Sequence, residues 1–498
     1  MEWLDTVFTV LAAFAAFYFY VKHKQSHWER EGLPYIEPMF LLGIAGSGLM
    51  EGIPFKDRVH RNYKELKKKG KFGGLYMFTS PSIMICDPDL VKAVLVKDFH
   101  HFEDRGFYAN EKADPLSAHL LSLTGNKWKN LRAKLTPTFT SGRMKLMFPI
   151  IIGISQEFER TVREQASTDS TVEIKDLLAR FTTDVIGNCA FGLECNSLKD
   201  PNTEFRQYGI LAFKRTILEG MKQLFLLTFP KVGRFFNMSF NDPKVASFYM
   251  KVVRETVAYR EQNSVQRNDF MNLLIDLKNN AQDSEKLTFN ELAAQAFIFF
   301  LAGFETSSTT MMYCLYELAL NPDIQEKTRE HINHVLQQHN NEFTYEAMMD
   351  MTYLEQVVNE TLRKYPVLAS LLRICTEEYK MPNSNVTIKP GMRTFIPIYG
   401  FHHDPQYYPN PDKFDPDRFT KEALAARPQY SFIPFGEGPR VCIGQRFAMM
   451  QVRVGLVALL RTLKFSPCAK TEIPIKGFSL TLPFLILEKG IHLKVEKF

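Results

Sequence analysis

Cysteine is scarce in this chain: seven among 498 residues, at positions 86, 189, 195, 314, 375, 442 and 468. No two of them stand as C-x-x-C, which disfavours a structural zinc site. An odd count without clustering also argues against a disulfide framework, and so places the bulk of the chain in a reducing compartment. Excess charge of one sign is scarce too. The 61 lysines and arginines against 55 acids leave a net charge of +6. The basic residues are scattered among acids and form no stripe, which sets nucleic-acid binding aside. Between 50 and 498 there is no Pro/Gly/Ser-rich linker, internal repeat or low-complexity tract. A prior of about 150 residues per domain suggests three domains. With no linker to separate them, one large domain suits the chain better.

One long apolar run is present. In MEWLDTVFTVLAAFAAFYFYVKHK, residues Val7 to Val21 are almost wholly apolar, and Trp3 and Leu4 extend the segment. That is about long enough to cross a bilayer. Glu2 and Asp5 precede it, and Lys22, His23 and Lys24 follow. A cleaved secretory signal has the opposite charge order and a small-residue cleavage site. Residues 1–24 are therefore expected to be a signal-anchor, with the rest of the chain on the cytosolic side. GLPYIEPMFLLG then supplies a stiff exit through Pro34 and Pro38.

The remaining pattern is mostly helical. Residues 54–70 read as a helix. KFGGLYMFTSPSIMICDP reads as a strand pair with turn signals at Gly73-Gly74 and Ser80-Pro81. Helical periodicity dominates to about 380, and short strands return around 386–398. The tail GFSLTLPFLILEKGIHLKVEKF reads as a terminal hairpin pair. The expected fold class is mainly α with a small β subdomain. One helix stands out, opening on a capping box of Thr288 with Glu291 and ending at Asn321-Pro322. It spans roughly thirty residues, about 48 Å. Its apolar centre implies burial within a domain. Ala302-Gly303-Phe304-Glu305-Thr306 interrupts that centre with a glycine, an acid and a hydroxyl. These five residues read equally well as a small-residue packing contact and as a functional site.

FGEGPRVCIG, residues 435–444, wraps one cysteine in glycines and a positive charge. Gly436 and Gly438 allow tight turns and the close approach of a flat ligand. Cys442 precedes a helix expected from Gln445 to about Thr462. That helix's N-terminus and Arg440 should both lower the thiol pKa and favour thiolate. Such a thiolate serves as a nucleophile, which needs a base, or as a metal ligand. No histidine lies in the loop. His402 and His403, in FHHDP, read as a turn and more naturally hold loops together. Ligation is the favoured reading, and a nucleophile remains the alternative.

Phe435, Gly438, Arg440, Cys442 and Gly444 match F-x-x-G-x-R-x-C-x-G, and here the chain resembles the cytochrome P450 superfamily. The rest of that pattern occurs in order. Trp128–Arg132 resembles W-x-x-x-R, and Ala302–Thr306 the oxygen-activation segment. Glu360–Arg363 resembles E-x-x-R, and Pro416–Phe419 P-x-R-F. The resemblance covers essentially the whole chain. It is nearest to the microsomal xenobiotic-metabolising branch, including insect detoxification enzymes. It implies the P450 fold, with residues 25–498 as a single catalytic domain.

The resemblance also implies roles. Cys442 would be the axial ligand of haem b. Phe435 would flank the cofactor as the first fixed position of the loop. Arg440, Trp128 and Arg132 look like haem-propionate partners, and Arg105 and Arg373 look like two more. For those last two an ordinary surface salt bridge is the alternative. Glu305 and Thr306 would deliver protons during oxygen activation. Glu360, Arg363 and Arg418 would form a buried triad serving folding and haem retention. Substrate-lining segments would be Phe102 to Leu123, 204–245, Phe297 to Phe304, Val367 to Leu372 and the turn near Leu480. Their composition suits a lipophilic small molecule, though core packing explains most of these side chains taken singly. FKRTILEGMKQLFLLTFPKVGRFF either dips into the membrane or is buried between helices.

No flavin or nicotinamide motif is present, so electrons would come from NADPH through NADPH–cytochrome P450 reductase, with cytochrome b5 as a second donor. Lys127, Lys129, Lys134, Arg143, Lys145, Arg446 and Arg453 could form a basic face for that partner. The expected enzyme is a haem-thiolate monooxygenase on the cytosolic face of the endoplasmic reticulum membrane. The alternatives are a haem-thiolate isomerase or dehydratase, and a haem-binding protein without turnover. Relatives of the isomerase or dehydratase type commonly lack an acid–threonine pair such as Glu305-Thr306.

Overall fold

The computed structural model describes residues 2–213, 217–279, 286–480, 483–487 and 489–498. The strongly periodic segments fold as read. Residues 54–70 give the helix Phe55–Lys69, and the run after Cys442 gives Gln445–Leu460. The long apolar helix is Phe289–Leu320, 32 residues. Its capping box is formed: Thr288 Oγ1 accepts from the Glu291 N–H, and the Glu291 carboxylate accepts from the Thr288 N–H at 2.8 Å. Two orphan donors at the helix start are thereby satisfied.

The long helix threads the main core. Ile174–Ile186 and Gln445–Leu460 pack against it, as do Pro243–Gln262 and Thr352–Lys364. Small residues set the closest approaches. A Cβ on Gly303 would meet Ile186 Cδ1 at 2.8 Å, and one on Gly455 would meet Met311 Sδ at 2.6 Å. The glycine at 303 thus admits a neighbouring helix, as the packing reading of that pentad required.

A second core lies under a four-stranded sheet. Phe72–Met77 pairs antiparallel with Ser80–Ile85, which pairs parallel with Arg393–Ile396, which pairs antiparallel with Leu371–Ile374. The turn of the first hairpin is at Phe78, with φ 57°, and not at either expected turn signal. Gly73 and Gly74 lie inside the strand because Leu66 and the Trp28 ring press on them where side chains would stand. The final strand also differs from the expected local hairpin. His492–Lys497 pairs with Leu463–Ser466 and Thr171–Glu173. Among the described residues of the tail, which leave out 481, 482 and 488, the local bridge is Phe478–Leu487. Long-range pairing overrode the local turn signal.

Residues Glu2–Gln25 form one helix whose apolar side chains stand in the open; Trp3, Phe8, Phe14 and Phe19 are all exposed. Its end is tied to the body. Gln25 Nε2 donates to the Met39 and Phe78 carbonyls. Trp28 is fully buried and donates from Nε1 to the Leu75 carbonyl at 3.0 Å. The proline segment then runs beside the sheet, bridging Tyr35 to Gly74 and Gly43 to Met77.

Candidate active site

The cysteine loop is built by its glycines. Gly436 and Gly438 have φ of 73° and 72°, a region in which glycine is at ease. The close approach at Gly438 comes from the Leu95 carbonyl, which sits where a Cβ would go. The Cys442 N–H donates to the Phe435 carbonyl at 3.0 Å, which closes the loop and places half-buried Phe435 beside the cysteine.

Cys442 is the one exposed cysteine of the seven, and it opens onto an interior space. The protein around it desolvates the thiol and pushes its pKa up. The Gly444 N–H, Arg105 and Arg132 pull the other way without prevailing. The thiolate expected from Arg440 and the helix N-terminus is therefore not supplied by the chain's own charges. A metal ion at the sulfur would supply it. No imidazole is among the groups that bear on this sulfur. His402 is buried and neutral, with burial lowering its pKa to about 3. Its Nε2 accepts from the Ile433 N–H and its carbonyl from Arg363, so it holds loops together. The nucleophile reading thus lacks its base.

Around the loop stand the predicted arginines. Arg105 Nη2 donates to the Arg440 carbonyl, and Arg132 Nη1 to the Val441 carbonyl at 3.0 Å. Arg440 Nη2 donates to the Leu123 carbonyl at 2.7 Å, and its guanidinium lies 4.1 Å from the Trp128 ring centroid. Trp128 is therefore the platform beneath Arg440. Arg440 also stands 3.5 Å from Asp104. Arg373 is 1% exposed and donates to the Leu372 carbonyl; among the described residues its Nε and Nη2 have no partner, nor do Arg440 Nε and Nη1. Burial lowers all these guanidinium pKa values, and for Arg105, Arg373 and Arg440 neighbouring arginines lower them further. Arg440 falls to about 9, Arg105 to about 10 and Arg373 well below its ordinary value. Among the described residues neither Arg105 nor Arg373 has a carboxylate in ion-pair reach, so the surface salt-bridge reading fails for both.

Buried cations without partners are costly, and they fit a bound dianion. A planar porphyrin with two propionates would answer these donors while its iron met Cys442. Residues of the kind haem requires are thus present.

On the long helix, Phe304 and Glu305 are buried, yet Ala302 is exposed and Thr306 half-buried, so the helix borders an interior opening there. Thr306 Oγ1 donates to the Ala302 carbonyl at 2.6 Å. Glu305 Oε1 lies 3.4 Å from Lys175 Nζ, and Thr309 Oγ1 donates to it at 3.5 Å. Burial pushes the Glu305 carboxyl up, and Lys175 and Thr309 only partly offset this. Lys175 is absent from the sequence-level site because nothing local links it to Glu305. His119 is likewise marked by no motif. It is half-buried near Arg105, with its pKa lowered to about 4 by burial. Of the expected lining, Phe297, Phe300 and Phe304 are buried, the last two stacked at 5.6 Å, whereas much of 204–245 is exposed or half-buried.

The triad behind the loop is present. Arg363 donates to Glu360 through Nε at 2.7 Å and Nη2 at 2.8 Å, both side chains fully buried, and Arg418 stands 3.5 Å from Glu360. Arg363 also binds the His402 and Pro411 carbonyls. The basic face is thinner than expected. Arg453 is 3% exposed and pairs with Glu355 at 2.5 Å. Lys127, Lys129 and Lys145 each have a glutamate partner.

An accessible cysteine, a cluster of buried and half-buried arginines and an acid–threonine pair on a central helix are the parts a haem-thiolate oxidoreductase requires. The cytochrome P450 family model matches residues 38–495. Probable cytochrome P450 6a23 of Drosophila melanogaster is 49% identical over 493 residues, 96% of each chain. Probable cytochrome P450 6a20 of the same fly is 46% identical over 486 residues, again 96% of each. Its cytochrome P450 6a8 is 43% identical over 507 residues, 98% of this chain and 97% of that one. The chain belongs to the cytochrome P450 family. It is a haem monooxygenase that receives its electrons from a redox partner.

Proposed function

We propose that the chain is a membrane-anchored monooxygenase that inserts one atom of O2 into lipophilic small molecules, xenobiotics or endogenous lipids. Its electrons come from NADPH by way of NADPH–cytochrome P450 reductase, with cytochrome b5 as a second donor. The observation that carries this reading is the set of buried, unpartnered guanidinium N–H groups of Arg373 and Arg440 beside the accessible Cys442. A detoxification role follows from the resemblance to the xenobiotic-metabolising branch.

When bound, haem supplies the metal centre at which dioxygen is reduced and cleaved. Cys442 would hold the iron through Sγ. Arg105, Arg132, Arg373 and Arg440 would hold the propionates, and Trp128 supports Arg440. Glu305, its carboxyl lifted by burial, holds a proton at a higher pH than a solvated glutamate. Lys175 anchors the carboxylate after that proton leaves. The Thr306 hydroxyl, donating to the Ala302 carbonyl, keeps its lone pairs free to accept from a proton carrier on the open side. The apolar wall of Phe297, Phe300 and Phe304 keeps other water out. Glu360, Arg363 and Arg418 hold the loop's support.

The helix Glu2–Gln25, its apolar side chains outward, supports a single anchor in the endoplasmic reticulum with residues 25–498 as the cytosolic catalytic domain. Leu218, Met221, Phe229, Phe235 and Phe236 add a second exposed apolar face, which favours contact with the membrane over burial between helices. Lys214 to Thr216 of that stretch lie outside the described residues. Lys134, Arg143 and Arg446, without carboxylate partners among the described residues, are the best-placed cations for an acidic reductase.

The test is turnover of the protein reconstituted with reductase and NADPH under labelled dioxygen, against a broad panel of lipophiles. One labelled oxygen atom per product molecule is expected. Products without label across the panel would refute oxygen insertion and favour an isomerase or dehydratase.

A further inference from the structure

We propose that His100, His101 and Glu377 form a binding site for one divalent transition-metal ion of the zinc class, on the surface and apart from the cysteine loop. One nitrogen of each histidine and one Glu377 carboxylate oxygen all lie within 4.8 Å of one another. Ligand atoms around one zinc ion stand about 2.0–2.2 Å from it. Two ligand atoms of one such ion stand at most about 4.4 Å apart, so exposed His100 and Glu377 turn inward to close the set.

The half-buried member, His101, is already fixed. Its ring packs 4.0 Å from the His100 ring and 5.1 Å from the Tyr379 ring. Its Nδ1 lies 3.3 Å from the Glu377 carbonyl oxygen. In the tautomer that donates there, Nε2 keeps its lone pair for a metal, the arrangement usual for ligating histidines. The backbone on both sides is held as well. The Thr376 N–H donates to the His101 carbonyl at 2.8 Å, and Thr376 Oγ1 donates to the His100 carbonyl at 2.9 Å. The three ligands thus come from two segments whose spacing is set before any ion arrives.

Two imidazoles with one carboxylate suit zinc, cobalt, nickel or copper, whereas calcium and magnesium take all-oxygen sets. The fourth position faces solvent and would carry water. The same two segments carry Arg105 and Arg373, and the Ile374 N–H donates to the Asp104 carbonyl at 2.7 Å between them. An ion here would clasp the two supports of those arginines and raise the melting temperature of the whole enzyme.

The test is zinc titration of the untagged, haem-loaded protein by calorimetry, with melting curves in parallel. One equivalent of zinc is expected to bind and to raise the melting temperature, while calcium does neither. Losing even an outer partner of a metal ligand costs about 10–100-fold in affinity. His101→Ala and Glu377→Gln should therefore weaken binding by at least about tenfold and abolish the melting shift. Both should retain the reduced-CO spectrum of the parent. Should His101→Ala fail to fold, His100→Gln and Glu377→Gln carry the test. Unchanged zinc affinity in the variants, no binding by the parent, or an equal response to calcium would each overturn the proposal.

Discussion

Glu305 Oε1 stands 3.4 Å from Lys175 Nζ, so the acid of the central helix is tethered to the neighbouring Ile174–Ile186 helix. Burial nonetheless raises its pKa from 4.5. The native protein therefore keeps a proton that the unfolded chain releases. Stability from this group is full below 4.5 and is lost as the pH rises through the raised value. Glu305→Gln should remove that slope, so the variant gains melting temperature relative to the parent as the pH climbs towards neutrality. A difference in melting temperature that stays flat with pH would refute this. Turnover should fall by about 10²-fold, typical for loss of a proton-transfer group, with substrate-binding spectra unchanged.

Removing one member of the buried triad leaves a charge without its counterion. Glu360→Gln strands Arg363, which is fully buried. The expected loss is about 3–5 kcal/mol. Denaturant unfolding measures it, and the haem content of the purified protein should drop in step.

Arg373 gives the opposite sign in the two forms of the protein. Among the described residues its Nε and Nη2 have no partner. Arg373→Met should stabilise the haem-free chain, since an apolar residue of similar volume replaces an uncompensated charge. The same change should speed haem loss to apomyoglobin. A variant that destabilises both forms alike would count against a propionate role.

Cys442 carries the spectroscopic prediction. Cys442→Ala should abolish the far-shifted Soret band of the reduced CO complex while far-UV circular dichroism stays near that of the parent. Retention of that band would remove Cys442 as the ligand.

What the sequence made legible was local. Thr288 and Glu291 announced the long helix because a capping box lies within four residues. The F-x-x-G-x-R-x-C-x-G loop and the Glu360–Arg363 pair are equally short-range. Distant partners left no such trace: Lys175 for Glu305, Asp104 for Arg440, and the Leu95 carbonyl at Gly438. The local expectation at Cys442 fails in sign for the same reason. Arg440, two residues away in sequence, turns towards Leu123 and Trp128, and desolvation by remote segments decides the thiol. Gly73 and Gly74 looked like a turn because Trp28 and Leu66, which fill their missing side chains, lie far away in the chain.

Arg373 feels both Arg105 and Arg440, and each lowers its hold on a proton. On the proposed assignment this mutual repulsion behaves like a compressed spring that a dianionic cofactor releases. A cell short of haem would hold more of this chain in its loosened, protease-sensitive form. The amount of enzyme would then follow haem supply without any dedicated regulator.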